Sequence, residues 1–316
     1  MAYPARIVTL LPSATEIVCS IDLFDRLVGV THECDYPPQV RGLPPVTASL
    51  IPTGASSREI DARVRDQLRT SAALYTLDNE LLQRLRPDLI VTQALCDVCA
   101  VAESEVTQAA RRIDPQPEVI NLEPSSLAEV FETIGKLGEV CGVPADAKRC
   151  VSSLEARVKA VRERASSIRD DRRPRVALLE WIDPPFNAGH WNPELIELAG
   201  GTDCLGNVHE PSRTISFADI EAADPDILIV ALCGFDADRA RQDLHILFAN
   251  LNREALSCFV NGQVHVLDGN ALFSRPGPRL VDSLEVLARI IECRQSGVVH
   301  DTGVWQGSNA PAGLVR

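Results

Sequence analysis

Ile7-Val8-Thr9-Leu10-Leu11, running directly into Pro12-Ser13-Ala14-Thr15-Glu16-Ile17, joins an uncharged strand-like run to a helix start. A run of apolar and β-branched residues suits a strand covered on both faces. Ser13-Ala14-Thr15-Glu16 has the spacing of a capping box, in which the serine caps the helix and the glutamate reaches back to it. Strand into helix is half of a βαβ unit, and the same alternation recurs down the chain. Runs at 27–31, 88–93, 119–122, 176–180, 226–232 and 264–267 read as further strands. Ser126-Leu127-Ala128-Glu129 repeats the capping-box spacing, and Asn192-Pro193 pairs an N-cap with a first-turn proline. Gly142 and Gly200-Gly201 read as helix stops. The pattern predicts an α/β protein with mainly parallel central sheets.

The middle of the chain breaks this rhythm. From 145 to 168 no turn residue interrupts an apolar stripe of Cys150, Leu154, Val158, Val161, Ala165 and Ile168, and the opposite face is densely charged. At 1.5 Å per residue this is a rod of roughly 36 Å, long enough to link two lobes. The expected organisation is an N-terminal lobe at 1–143, a bridging helix at 144–170, a C-terminal lobe at 171–293 and a disordered tail at 294–316, where periodicity is lost among Gly, Ser, Asn and Ala.

With 316 residues and 45% hydrophobic content, the chain can bury two cores. A net charge of −13 argues against nucleic acid or an anionic membrane as partner, since both reward clustered Lys and Arg. Residues 1–6 are too few for a secretory apolar region, and no run is long enough for membrane insertion, so a cytoplasmic protein is expected. In that compartment the ten cysteines are thiols, to be read as packing groups, metal ligands or reactive groups.

In open parallel sheets, ligands lie beyond the carboxyl ends of the strands. The unusual residues of this sequence fall there: His32-Glu33-Cys34-Asp35-Tyr36, Cys96-Asp97-Val98-Cys99, Trp181 to Phe186, His190-Trp191, Cys233-Gly234-Phe235-Asp236 and Phe273-Ser274-Arg275. Aromatic residues make up only 4% of the chain, yet Tyr36, Trp181, Phe186, Trp191, Phe235 and Phe273 all sit in these loops. A large flat chelate needs aromatic walls and a few polar anchors. His190 is the candidate metal or polar anchor, and Arg275 the candidate partner for a ligand carboxylate or phosphate. Ordinary loop packing is the competing reading for each aromatic taken singly.

Cysteine offers a second chemistry. Cys96 and Cys99 form a Cys-x-x-Cys pair that, with Cys34 and Cys233 and with His32 or His190 in reach, would suit zinc, iron or an iron–sulfur cluster. No second such pair exists, so a structural zinc module is not indicated. Cys34 or Cys99 as nucleophile, with His32 or His190 as base and Asp35 or Asp97 as orienter, is the enzymatic version of the same residues. Neither a Gly-x-Ser-x-Gly elbow nor a phosphate-binding glycine loop is present, and nothing specifies a reaction. The other six cysteines read as small hydrophobes.

The opening segment quoted above, with Asp25-Arg26-Leu27-Val28-Gly29-Val30-Thr31, resembles the start of the cobalamin and ferric-siderophore class of ABC-transporter substrate-binding proteins, the class III or helical-backbone group. Residues 80–90, Glu80-Leu81-Leu82-Gln83-Arg84-Leu85-Arg86-Pro87-Asp88-Leu89-Ile90, are similar to that family's helix-into-strand segment, and residues 223–229 to its C-lobe counterpart. The resemblance implies two α/β lobes joined by a rigid helix, a cobalamin or related metal chelate held between them, and an ABC transporter as partner. It is closest to a cobalamin-binding-like branch without an export signal. Exported members dock through one acidic residue per lobe. Glu80 matches the first position; the second falls on Ala218, beside Asp219. The missing export signal and the missing second acid both count against ordinary delivery to a transporter.

Overall fold

The computed structural model describes residues 3–52, 54–70, 74–93 and 103–295. It divides into two compact units: residues 1–124 with 128–154, and residues 125–127 with 155–316. Each is built on its own largely parallel sheet.

In the first unit, β1 (Ile7–Thr9), β2 (Leu27–Gly29), β5 (Leu89–Thr92) and β6 (Glu118–Asn121) form a parallel sheet in the order β2-β1-β5-β6. β3 (Thr47–Ser49) and β4 (Tyr75–Leu77) make a separate antiparallel pair. In the second unit, β7 (Arg175–Ile182), β8 (Pro185–Asn187), β9 (Thr202–Asp203), β10 (Ile227–Val230) and β11 (Val264–Val266) form one sheet in the order β11-β10-β7-β8, with β9 also pairing on β7. Only β8 runs antiparallel there.

All seven expected strands are present. Ile7, Val8, Leu89, Ile90 and Val91 are fully buried, as are Ile227, Leu228, Ile229 and Val230, which is why these strands read as unbroken apolar runs. β3, β4, β8 and β9 were not expected; each spans two or three residues, and none carries an apolar run.

The first helix corrects its sequence reading. It spans Pro12–Ser20, so Pro12 takes the first turn and Ser13 lies inside the helix, with Leu11 at the N-cap and no side-chain cap. A proline there needs no N–H partner and pre-sets φ. Asn192 is likewise the first residue of Asn192–Leu198 rather than its cap, which is Trp191. The two glycine stops stand, with Gly142 at φ +75° and Gly200 at φ +93°.

The long helix is Pro144–Ala165, 22 residues or about 33 Å. It stops short of Ile168 because Ser166 and Ser167 turn their hydroxyls back onto the carbonyls of Glu163 and Arg164, both at 2.7 Å. Its first part packs tightly on Leu127–Val140: a Cβ at Gly138 would lie 2.3 Å from the Ala147 Cβ. Its last part is bound to Leu280–Gln295 by ion pairs, Arg157 to Glu285 and Asp282 and Arg164 to Glu292. The change of unit falls inside this helix, between Leu154 and Glu155. Residues 294 and 295 are helical, not tail. The remainder of the expected tail lies outside the described residues.

Candidate functional site

In the second unit the strand-end loops gather the expected aromatics. β7 and β8 form a hairpin in which Trp181 stands opposite Phe186, so the two rings share one face. The loop after β10 brings Phe235 to Trp181, ring centroids 5.1 Å apart and tilted by 49°. The Arg239 guanidinium lies over the Phe235 ring at 4.3 Å. Trp181 and Phe186 are half-buried, while Phe235 is 9% exposed.

His190 follows the hairpin in the left-handed region, φ +51°. Its N–H donates to the Glu210 carbonyl at 2.7 Å and its carbonyl accepts from the His209 N–H at 2.9 Å, which pins the backbone on both sides. The imidazole stacks on Trp191 at 5.4 Å, and burial lowers its pKa, favouring the neutral ring.

Three expected ligand contacts are placed differently from their sequence reading. Trp191 is 5% exposed, and its indole N–H donates to the Phe273 carbonyl at 2.9 Å. Phe273 is 1% exposed and so presents no wall to solvent. Arg275 is 5% exposed, bonds Asn270 at 3.0 Å and shares the electrostatic surroundings of Asp268. Asn270 in turn donates its N–H to the Phe235 carbonyl at 3.1 Å, which ties this buried turn to the Phe235 loop. An arginine so enclosed is a costly charge unless it is paired, which accounts for Asn270 and Asp268 beside it.

Sequence reading passed over Glu180. Two residues before the end of β7, its carboxylate accepts the Gly189 N–H at 2.7 Å and the Asn192 side-chain N–H at 2.8 Å, clamping the His190 loop. Burial raises its pKa against those hydrogen bonds. The available signal was a lone acid ending the apolar run Val176-Ala177-Leu178-Leu179.

In the first unit Tyr36 is 39% exposed on the loop after β2. Cys34 is buried, its sulfur 2.9 Å from the Thr15 hydroxyl. At the end of β5, Thr92 Oγ1 and Gln93 Oε1 are buried without a hydrogen-bond partner among the described residues. Cys96 and Cys99 lie outside the described residues, and Cys34 and Cys233 belong to different units. Among the described residues no group of three or more His, Cys, Asp or Glu is arranged to hold a metal ion. Burial pushes the Cys19 and Cys258 thiols up to about 12 and Cys204 to about 11, so these stay protonated packing groups.

The expected docking acid, Glu80, is 90% exposed in the first turn of Asn79–Leu85 and pairs loosely with Arg84 at 3.8 Å. In the second unit Asp219 closes a capping box with Ser216, accepting both its N–H and its hydroxyl at 2.7 Å. No described helix is long and apolar enough to cross a membrane.

Residues 7–253 match the family model described as periplasmic binding protein. A vitamin B12-binding protein of Vibrio cholerae is 24% identical over 301 residues, covering 93% of this chain and 91% of its own. An uncharacterised ABC transporter substrate-binding lipoprotein of Bacillus subtilis, YvrC, is 24% identical, covering 91% and 80%. A periplasmic heme-binding protein from Pseudomonas aeruginosa superposes with a TM-score of 0.69 at 22% identity, covering 91% of this chain and 92% of that one.

Proposed function

This chain belongs to the periplasmic binding protein family, and we propose that it binds a metal chelate of the cobalamin class against its strand-end loops and passes it to an ABC transporter. The observation that carries the reading is the cluster of Trp181, Phe186 and Phe235 at the carboxyl ends of β7 and β10. A corrin edge or face is large and apolar, and the half-buried rings of Trp181 and Phe186, with Phe235 packed on Trp181, are the surface that receives it. The relatives named vitamin B12-binding support cobalamin over other chelates, and the Bacillus relative supports the transporter. Glu80 is the docking charge in this reading. The first lobe supplies it alone, because the matching position is Ala218 and Asp219 is engaged by Ser216.

Calorimetric titration with cobalamin tests the ligand. Micromolar or tighter binding, about −8 kcal/mol or better, is expected. Trp181→Ala combined with Phe235→Ala weakens it at least tenfold; unchanged affinity in that variant overturns the aromatic wall. A cytosolic location, which the cysteine content favours, is the competing reading, in which the chain holds its chelate without delivering it to an importer. Cell fractionation checks it, and recovery outside the cytoplasmic fraction overturns it without touching the ligand.

A further inference from the structure

Trp181 and Phe186 face one another beside a β-bulge. β7 and β8 pair Leu179 with Asn187 and then Trp181 with Phe186, so Glu180 is the extra residue on β7, without a cross-strand partner. A bulge re-aims the side chain it carries, and here the carboxylate turns to the 189–192 loop. It accepts the Gly189 N–H at 2.7 Å and the Asn192 side-chain N–H at 2.8 Å, and the Ser212 hydroxyl donates a third bond. Its main-chain carbonyl accepts an N–H of the Phe235 loop at 2.9 Å.

Ser212 lies on a segment that runs along the far side of the Phe186 strand. The Arg213 carbonyl accepts the Asn187 N–H at 3.1 Å, the Pro185 carbonyl accepts the Ile215 N–H at 2.9 Å, and Phe186 bridges to Thr214. The crossing is tight, since a Cβ at Gly189 would lie 2.3 Å from the Ser212 nitrogen. One carboxylate, directly before Trp181, thus ties down the chain on both sides of Phe186. Asn192 Oδ1 is buried without a partner among the described residues. Half a turn of that amide exchanges its oxygen and nitrogen, which gives a protonated Glu180 an acceptor where the carboxylate had a donor.

The elements packed around Glu180 carry Asp183 in the hairpin turn, His190 on the clamped loop, Glu194 on the helix that follows, His209, Glu210 and Arg213 on the crossing segment, and Asp236 beside Phe235. His209 pairs with Glu194 at 3.6 Å, Glu210 pairs with Arg213, and burial favours the neutral form of His190. None of these charges moves Glu180: burial raises its pKa, and the three hydrogen bonds oppose the rise. Asp203, ahead of the crossing segment, is raised to about 6, and Asp268 is raised as well, both by burial.

We propose that Glu180 is the positioning residue of the aromatic wall and that its charge sets the hold on the chelate. As a carboxylate it keeps Trp181 and Phe186 in place; on taking a proton it lets the 189–192 loop and the Ser212 segment loosen. The residue is half-buried, so the proton comes from solvent without unfolding, and no other bond is made or broken. Hydrogen bonds to a charged acceptor are roughly twice as strong as neutral ones, so the acid grips all three donors less. The site binds near neutrality and releases in an acidic setting. This rests on the chelate-binding reading above.

Affinity therefore falls as pH drops through the raised value, by at most about tenfold per pH unit for one linked proton. Stability runs the other way. A proton bound more tightly by the folded chain than by the unfolded one adds stability as pH falls through that range, and the contribution is lost as pH rises through the raised value. A residue with only a structural role would lower affinity and stability together.

The test titrates the purified chain with cyanocobalamin by calorimetry over a pH series and follows urea stability in parallel. Wild type is expected to lose about tenfold in affinity toward acid pH. Glu180→Gln binds as weakly as acid-form wild type at every pH, and the stability of wild type relative to Glu180→Gln rises as pH falls. Asn192→Ala removes a bond that favours the carboxylate and moves the affinity midpoint to higher pH, which tests the proposal even where Glu180→Gln fails to fold. Asp203→Asn keeps the slope. Binding that is flat with pH, a slope that survives in Glu180→Gln, or an unmoved midpoint in Asn192→Ala overturns the role of Glu180 and leaves chelate binding standing. Absence of binding at every pH overturns chelate binding and this role with it.

Discussion

The segment from Asp78 to Leu89 in the first lobe and the segment from Ser216 to Ile227 in the second are the same device built twice. Each is a seven-residue helix, Asn79–Leu85 and Phe217–Ala223, whose N-cap side chain accepts a main-chain N–H three residues on: Leu81 to Asp78 at 2.8 Å, Asp219 to Ser216 at 3.1 Å. Each ends on a non-glycine residue in the left-handed region, Arg86 at φ +44° and Asp224 at φ +38°, before a proline. Each then places an aspartate beside the first strand of its sheet. Asp88 accepts the Ala5 and Arg6 N–H groups, and Asp226 accepts that of Arg175, all at 2.9 Å. An arginine returns the contact, Arg6 onto the Leu85 carbonyl at 2.8 Å and Arg175 onto the Ala223 carbonyl at 2.7 Å.

The two copies differ in where their acids point. In the first, the cap is Asp78 and Glu80 stands in solvent. In the second, the cap is a serine and the first-turn acid, Asp219, folds back to complete the box. Even the left-handed residue differs in use, since the Asp224 carboxylate accepts the Ser257 N–H at 2.8 Å. One backbone plan thus leaves a charge exposed on one lobe, while the other has Ala218 at that position and spends the acid beside it on structure.

The largest expected effect tests what the copies share. Asp88→Ala and Asp226→Ala each remove a charged acceptor from main-chain donors at the start of a central strand and cost about 2 kcal/mol, read from urea denaturation. A loss in one lobe alone would show that the device is not equivalent. Next come the caps: Asp78→Ala and Ser216→Ala each cost about 1 kcal/mol by the same measurement. The second helix gains an acid-side dependence. The Ser216 N–H and hydroxyl hold the Asp219 carboxyl below its ordinary value, so its contribution is complete above that value and is lost as pH falls through the depressed one. Asp219→Asn flattens that slope in a stability-against-pH series, and an unchanged slope removes the box from the account. The smallest effect on stability belongs to Glu80→Ala, within about 0.5 kcal/mol; if Glu80 is the docking charge, the same variant binds a transporter less well. Ala218→Glu raises that binding if the second lobe's missing acid is the reason for its silence.

Much of the fold was legible because buried parallel strands leave a run that is hard to mistake, as at Ile227-Leu228-Ile229-Val230. β3 and β4 left no such mark: Thr47-Ala48-Ser49 becomes a strand only by pairing with Tyr75-Thr76-Leu77, and that partner is distant in sequence. Of the candidate site, the grouping of Trp181, Phe186 and Phe235 could be anticipated because rare aromatics fell at strand ends. Burial could not be read in the same way. Phe273 and Arg275 sit in an identical kind of loop, yet packing around the five-residue turn Gly269–Phe273 encloses them. Glu180 was invisible because its role lies in two contacts, to Gly189 and Asn192, made only once the hairpin is folded.

The unequal settings of Trp181 and Trp191 make the second lobe its own optical gauge. Trp191 has its ring enclosed and its N–H tied to a carbonyl, so its emission is blue until the lobe unfolds. Trp181 is half-buried on the hairpin face, where any absorbing ring that docks drains its excited state. The intensity of their emission therefore reports the arrival of a coloured ligand, and its wavelength the melting of the lobe that receives it.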